Sequence, residues 1–288
     1  MGSSLFFIYG LPSRGPCSAA SLQWPRSLLI FSAALLTLCS ILGLIAQTGL
    51  LAGSFEEGLR LSNLQAAITL MNFGQSAAVR AAISAVLLAG LLAFSPNRPV
   101  WVFCTAGGTA ICASLAWMGH GAATEGPAGI VHLLADILHA VAAAAWIGAL
   151  AGFILLLLNR STADLDNILY RSLHRFSGVG SCAVALLVAT GLVNSWFLIG
   201  PDRLWDAWTT PYGRVLIAKL MAFAGMLVLA ALNRYRLTPA LGNVLTLGSP
   251  PFDALLRLKR SLLLETIGAI LVLVLVAWLG TLAPVTAQ

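Results

Sequence analysis

The sequence predicts an all-α, polytopic transmembrane bundle of about seven spans, and three observations predict it. Of the 288 residues, 59% are hydrophobic and only 9% charged, where a soluble globular domain carries about 25% charged residues. The mean hydropathy is +0.92, and the apolar residues fall in runs of roughly 18 to 30, long enough to cross a bilayer core. The longest polar-leaning connections (53–75, 161–175, 200–212 and 237–259) are too short for a soluble domain.

Taken in order, residues 1–26 read as an N-terminal stub. The apolar run 5–11 is too short to span and is broken by Pro12-Ser13-Arg14-Gly15-Pro16. No basic segment precedes it, which argues against a signal peptide; the expectation is the tail of a first membrane helix whose beginning lies outside this chain. Residues 27–288 form the transmembrane domain, with spans expected near 27–51, 77–94, 99–118, 129–158, 174–200, 213–236 and 260–283. The second is the shortest, and needs Arg80 near an interface. Trp205 and Trp208, bracketed by Gly200-Pro201 and Pro211, fit interfacial anchors, with substrate contact as the alternative.

Charge distribution predicts orientation. With the N-terminus inside, Arg14, Arg26, Arg98, Arg160, Arg171, Arg175, Arg234, Arg236, Arg257, Lys259 and Arg260 are cytoplasmic. Arg60, Arg80, Arg203 and Arg214 lie outside, and Lys219 within a span. The positive-inside rule thus gives N-in and C-out. The formal charge of +6 is accounted for by this asymmetry rather than by nucleic-acid binding. Cys17, Cys39, Cys104, Cys112 and Cys182 form no CxxC pair, and read as small buried hydrophobes rather than a disulfide framework.

The chemistry concentrates in one helix. In HLLADILHAVAAAAWIGAL (132–150), His132, Asp136, His139 and Trp146 fall within an arc of roughly 80° on a helix turning 100° per residue. Imidazoles and a carboxylate are costly in lipid, so this stripe faces a protein interior or a water path. The preceding span ends with Met118-Gly119-His120, and the loop 119–129 is short, so His120 returns to the outer end of the same hairpin. His120, His132 and His139 with Asp136 and Met118 are therefore candidate metal ligands. Thioether favours Cu(I) and imidazole accepts either copper oxidation state; a zinc site of similar donors is also chemically open. The structural alternatives are helix-to-helix hydrogen bonding for each histidine, core filling for Met118, and an orienting role for Asp136 behind a histidine. His174, beside Arg171 and Arg175, falls on the opposite side and outside the cluster.

Three further polar residues mark a possible pathway. Lys219 either snorkels outward or pairs with Asp136. Asn194 approaches the outer end of span five. Glu265 sits one turn into span seven, either as the inner station of a polar route or paired with an Arg or Lys of the preceding loop.

These residues resemble the bacterial copper resistance protein D (CopD) family. The resemblance is carried by Met118-Gly119-His120-Gly121-Ala122, by the paired-His helix with its Trp146-Ile147-Gly148 ending, and by Pro211-Tyr212-Gly213-Arg214 leading to Lys219. Asn233-Arg234, Arg260-Ser261 with Glu265, and Leu279-Gly280-Thr281-Leu282-Ala283-Pro284 extend it over about residues 70–285. It implies an eight-helix inner-membrane protein that moves copper toward the cytoplasm, served by a separate periplasmic copper-binding protein of the CopC type. The chain departs from this pattern in showing seven spans.

The expectation is thus a non-enzymatic copper-homeostasis protein of the bacterial inner membrane, with copper as substrate and the lipid bilayer as its medium. No nucleotide-binding glycine pattern is present, and no catalytic residues are assigned. Two alternatives stand beside it: a b-type haem cytochrome with haem between histidines of spans three and four, and a non-transporting membrane dock for a periplasmic copper carrier.

Overall fold

The computed structural model describes residues 1–11, 22–117, 126–159, 163–203, 205 and 208–283. Among them the regular structure is helical throughout, and seven helices are long and apolar enough to cross a membrane. In chain order the described α-helices are α1 (Gly2–Tyr9), α2 (Gln23–Ala52), α3 (Phe55–Leu59), α4 (Leu61–Leu70), α5 (Asn72–Ala93), α6 (Arg98–Ala116), α7 (Gly126–Leu158), α8 (Ala163–Ile199), α9 (Pro211–Leu232), α10 (Thr238–Thr246) and α11 (Phe252–Leu279). Large apolar side chains such as Phe31, Leu38, Leu192, Ile267 and Val274 remain exposed on the bundle's outside. Lipid solvates such a surface; water would not.

Local sequence explains where the helices start. Asn97 caps α6 by accepting a hydrogen bond from the Val100 amide at 2.9 Å. Thr210 caps α9 by accepting one from Gly213 at 3.2 Å, with Pro211 in the first turn where its missing N–H costs nothing. At the far end of α5, Arg26 donates to the carbonyls of Leu91 (2.8 Å) and Leu92 (3.1 Å), which the helix itself leaves unpaired.

The helices run past the expected spans. α8 begins at Ala163 and α11 at Phe252, because charged residues such as Arg171 and Arg257 can reach out of the bilayer without ending a helix. At 37 residues, α8 is about 55 Å long at 1.5 Å per residue. The connection 53–75 is also more ordered than its polarity implies: Ser54 caps the short α3, and α4 follows directly. Trp205 and Trp208 are strongly exposed.

α7 is the central helix, with half of its apolar window buried, the largest share of the seven. One of its faces is built of small residues and receives α1. A Cβ on Gly148 would come within 2.4 Å of Gly2 backbone, and one on Gly152 within 2.3 Å of the Phe6 ring. Ser3 donates to the Gly148 carbonyl at 3.0 Å across this contact. The opposite face of α7 carries His132, Asp136, His139 and Trp146 and turns toward α8, α9 and α11.

α8 returns antiparallel to α7, and α9 and α11 pack on one another and close the other side. The bundle therefore has two ends, named here after His132 and Arg234. A separate core cluster of Ile199, Tyr212, Val215, Leu216, Leu275 and Leu279 closes the His132 end of α8, α9 and α11. At the Arg234 end, α9 passes through a π-helical turn, Asn233–Leu237, into α10. Pro239 supplies the cause: it lacks an amide hydrogen and its ring crowds the carbonyl four residues back, inside that turn.

Candidate metal site

Three contacts between α7 and α8 make up the site at the His132 end. The His132 ring, 1% exposed, lies flat on Phe197 with centroids 4.5 Å apart and planes 7° from parallel. Asn194 donates from Nδ2 to Asp136 Oδ1 at 2.6 Å. His139 Nδ1 and Thr190 Oγ1 are 2.9 Å apart. As α7 descends by four residues and then three, α8 descends by three and then four, which is the register of an antiparallel helix pair. His132 Nε2 also lies 4.0 Å from Asp136 Oδ2, one turn along the same helix.

The Thr190 contact sets a tautomer. Thr190 Oγ1 donates its own hydrogen to the Leu186 carbonyl at 2.5 Å. Its oxygen is then an acceptor for His139, so Nδ1 of His139 carries the proton and Nε2 keeps its lone pair. A ring nitrogen fixed in this way is how a histidine is prepared to ligate a metal.

Two residues of α9 act on the same place. Lys219 feels the charge of Asp136 and in turn acts on His139, and Tyr212 also feels Asp136. Lys219 is therefore close enough for its charge to act on both Asp136 and His139. An ammonium near the site offsets the cost of holding a carboxylate in the bilayer, which for an isolated ion is several kcal/mol.

The face of α7 then continues to Trp146. Its indole Nε1 donates to Glu265 Oε1 at 2.8 Å, and Asn233 Nδ2 donates to Glu265 Oε2 at 2.8 Å. Glu265, 3% exposed, is thus held by two neutral donors; the pairing with an Arg or Lys of the preceding loop does not form. The reason is depth: α11 starts at Phe252, so Glu265 lies roughly 20 Å along it.

Of the candidate ligands, the structure brings His132 and Asp136 near one another and sets His139 deeper on the same face. Among the described residues, no three His, Cys, Asp or Glu side chains converge on one metal point. Met118 and His120 lie outside the described residues. The two histidines of α7, His132 and His139, project toward α8, and Phe197 covers one face of His132; the haem alternative, which needs His120 opposite one of them, falls outside the described residues. His174 lies at the Arg234 end, as expected. Cys39, Cys104, Cys112 and Cys182 are free thiols, but Cys39 and Cys182 are exposed rather than buried, because they face the lipid side of their helices.

Comparison with known proteins bears on what this site is for. The copper resistance protein D of Pseudomonas syringae pv. tomato is 34% identical over 98% of this chain and 91% of its own length. The chain belongs to the copper resistance protein D family. The model for the CopD family matches residues 170–279, and that for the copper resistance protein D-like N-terminal domain matches 1–130. The inner membrane protein YebZ of Escherichia coli K12 is 28% identical over 98% of the chain and 95% of its own length. The copper transport protein CutJ of Bacillus subtilis 168 is 34% identical over 41% of the chain and 21% of its own length. No solved structure matches. This CopD-family chain is therefore a multi-helix membrane protein with a copper-related role.

Sequence reasoning missed Thr190 and Phe197, and met Asn233 only as part of the Asn233-Arg234 of the family resemblance. For the first two a signal was present. Thr190, Asn194 and Phe197 repeat the helical spacing of the His/Asp stripe in reverse, which two antiparallel partners must do to meet rung by rung. Asn233 gave no such signal, since it depends on the π-turn that carries it inward.

Proposed function

We propose that this protein carries copper across the bacterial inner membrane toward the cytoplasm. The observation that supports this best is the single polar line along α7: His132 and Asp136, then His139 with Thr190, then Trp146 joined to Glu265 and Asn233. Polar groups on a central helix, facing its neighbours rather than lipid, are the usual mark of a substrate route.

In this reading the N-terminus lies inside and the C-terminus outside, so the His132 end is periplasmic. Copper arrives there from a soluble periplasmic carrier of the CopC type. His132 and His139 are its ligands, joined by His120 and Met118 of the adjoining segment. Asp136, held by Asn194, orients His132 or supplies a carboxylate oxygen. His139 is the deeper ligand, its Nε2 lone pair kept available by Thr190. Lys219 sets the local charge. Binding draws these groups together, and release inward requires a second conformation.

The driving force needs no nucleotide. A monovalent cation moving inward gains about 2.3 kcal/mol per 100 mV of membrane potential. The test is copper uptake by sealed vesicles containing the purified protein, with a potential negative inside. Wild type should accumulate copper and His139→Ala should not. Copper binding without uptake by wild type would make the protein a dock rather than a carrier.

A further inference from the structure

At the Arg234 end a cavity of about 670 Å³ opens between α8, the α9 to α10 unit and α11, and it ends on Trp146, Asn233 and Glu265. The buried carboxyl at its head is unusual in its company. Each oxygen accepts one hydrogen bond, both from neutral donors. Among the described residues no Arg, Lys or His pairs with Glu265. Arg234, the one Arg or Lys among the described residues of the cavity wall, is turned instead to the Ser177 carbonyl, the Ser181 hydroxyl and the Tyr235 ring. An ionised carboxylate without a counter-charge is disfavoured at such depth, whereas a protonated one is not.

Asn233 supplies the second observation. It is 6% exposed, lines the cavity, and its Oδ1 has no hydrogen-bond partner. As placed, Nδ2 serves an ionised Glu265. Turned by half a rotation, the same amide presents Oδ1 to the hydroxyl of a protonated Glu265. The pair can therefore hold both charge states without moving the backbone. The cavity reaches this pair from one side.

We propose that Glu265 is a proton-exchange site reached through the cavity at the Arg234 end, where it balances the charge of a cation passing along α7. When the cation nears Trp146, the Glu265 hydroxyl gives its proton to cavity water and the carboxylate offsets the arriving charge. When the cation leaves, the same water returns the proton. No electron moves, and no net proton crosses the membrane. The identity of the cation rests on the copper reading above; the proton site does not.

The test is infrared spectroscopy of the full chain in lipid nanodiscs as pH is varied, with and without copper. The other titratable or charged groups facing the cavity are Tyr170 and His174 on α8 and Arg234 and Tyr235 on the π-turn; α7 and α10 contribute none there. None of these has a carboxylic acid carbonyl band. Wild type should show such a band that shifts in D2O, disappears as pH rises, weakens on copper addition and is absent from Glu265→Gln. Trp146→Phe, which removes one donor, should shift the band even if Glu265→Gln fails to fold. Ala230→Phe, which fills the cavity, should slow deuterium exchange severalfold. A band at Glu265 that is missing, or that neither titrates nor exchanges, overturns the proposal. So does an unchanged exchange rate in Ala230→Phe, or a band indifferent to copper bound by the same sample. If vesicles take up no copper while the band titrates and exchanges, the transport reading fails and the proton site stands.

Discussion

His132 and Phe197 lie ring on ring, 4.5 Å apart and within 7° of parallel, at the point where α7 and α8 meet near their shared end. The stack fixes the plane of the imidazole, so its nitrogens point along the interface instead of out to lipid. An aromatic pair of this kind is worth about 0.5–1.5 kcal/mol beyond the area it buries.

Phe197→Leu should therefore weaken copper retention without abolishing it. Loss of that stacking energy corresponds to roughly a two- to tenfold change in affinity. Leu keeps most of the apolar volume, so expression and membrane insertion should stay near wild type. The measurement is copper bound by purified protein under competition with a chelator. Retention equal to wild type would mean that His132 is held by its own helix.

Thr190→Val tests the tautomer. Val keeps the shape and removes the oxygen placed to accept from His139 Nδ1. The ring then loses its preference for the Nδ1 proton, and copper affinity should fall by the 10- to 100-fold typical of losing a metal ligand's orienting partner, about 1.4 to 2.8 kcal/mol. Thr190→Ser should retain most of the binding. His132→Ala and His139→Ala should each lose most of the bound copper, and His174→Ala very little, since His174 is at the other end of the bundle.

Orientation is checked separately. Reporter fusions after Gly126 and after Gln288 should report the periplasm, and a fusion after Pro251 the cytoplasm. A cytoplasmic signal at Gly126 would put the His132 end on the wrong side for a periplasmic donor.

Much of this was legible in the sequence because a bilayer enforces simple rules. Every backbone group in lipid must be paired within its own helix, so seven apolar runs become seven candidate spans and their order follows. The stripe on α7 was readable for the same reason: periodicity alone places His132, Asp136, His139 and Trp146 on one face. What faces that stripe was not readable one residue at a time. Thr190 and Phe197 are ordinary membrane-helix residues until the α7–α8 register is known. Glu265 shows the other limit. Its distance from the helix start could not be known while the charged residues 257, 259 and 260 looked like a boundary, and its partner Asn233 reaches it only through the π-turn ahead of Pro239.

The same register makes Asp136 and Asn194 the pair that best separates charge from packing. Asp136→Asn keeps nearly the same shape and removes the negative charge that Lys219 and Tyr212 feel. If the carboxylate serves the metal, copper binding and uptake should fall while expression stays close to normal, and Asp136→Glu should recover part of the loss. Asn194→Ala removes the 2.6 Å hydrogen bond but leaves the charge, so its effect should be smaller. In the double variant the two losses should not add, because residues in contact couple by about 0.5–3 kcal/mol. The decisive measurement is this four-protein cycle read by copper affinity. Strict additivity would mean that Asn194 does not position the carboxylate, and wild-type affinity in Asp136→Asn would reduce the ligand set to the histidines.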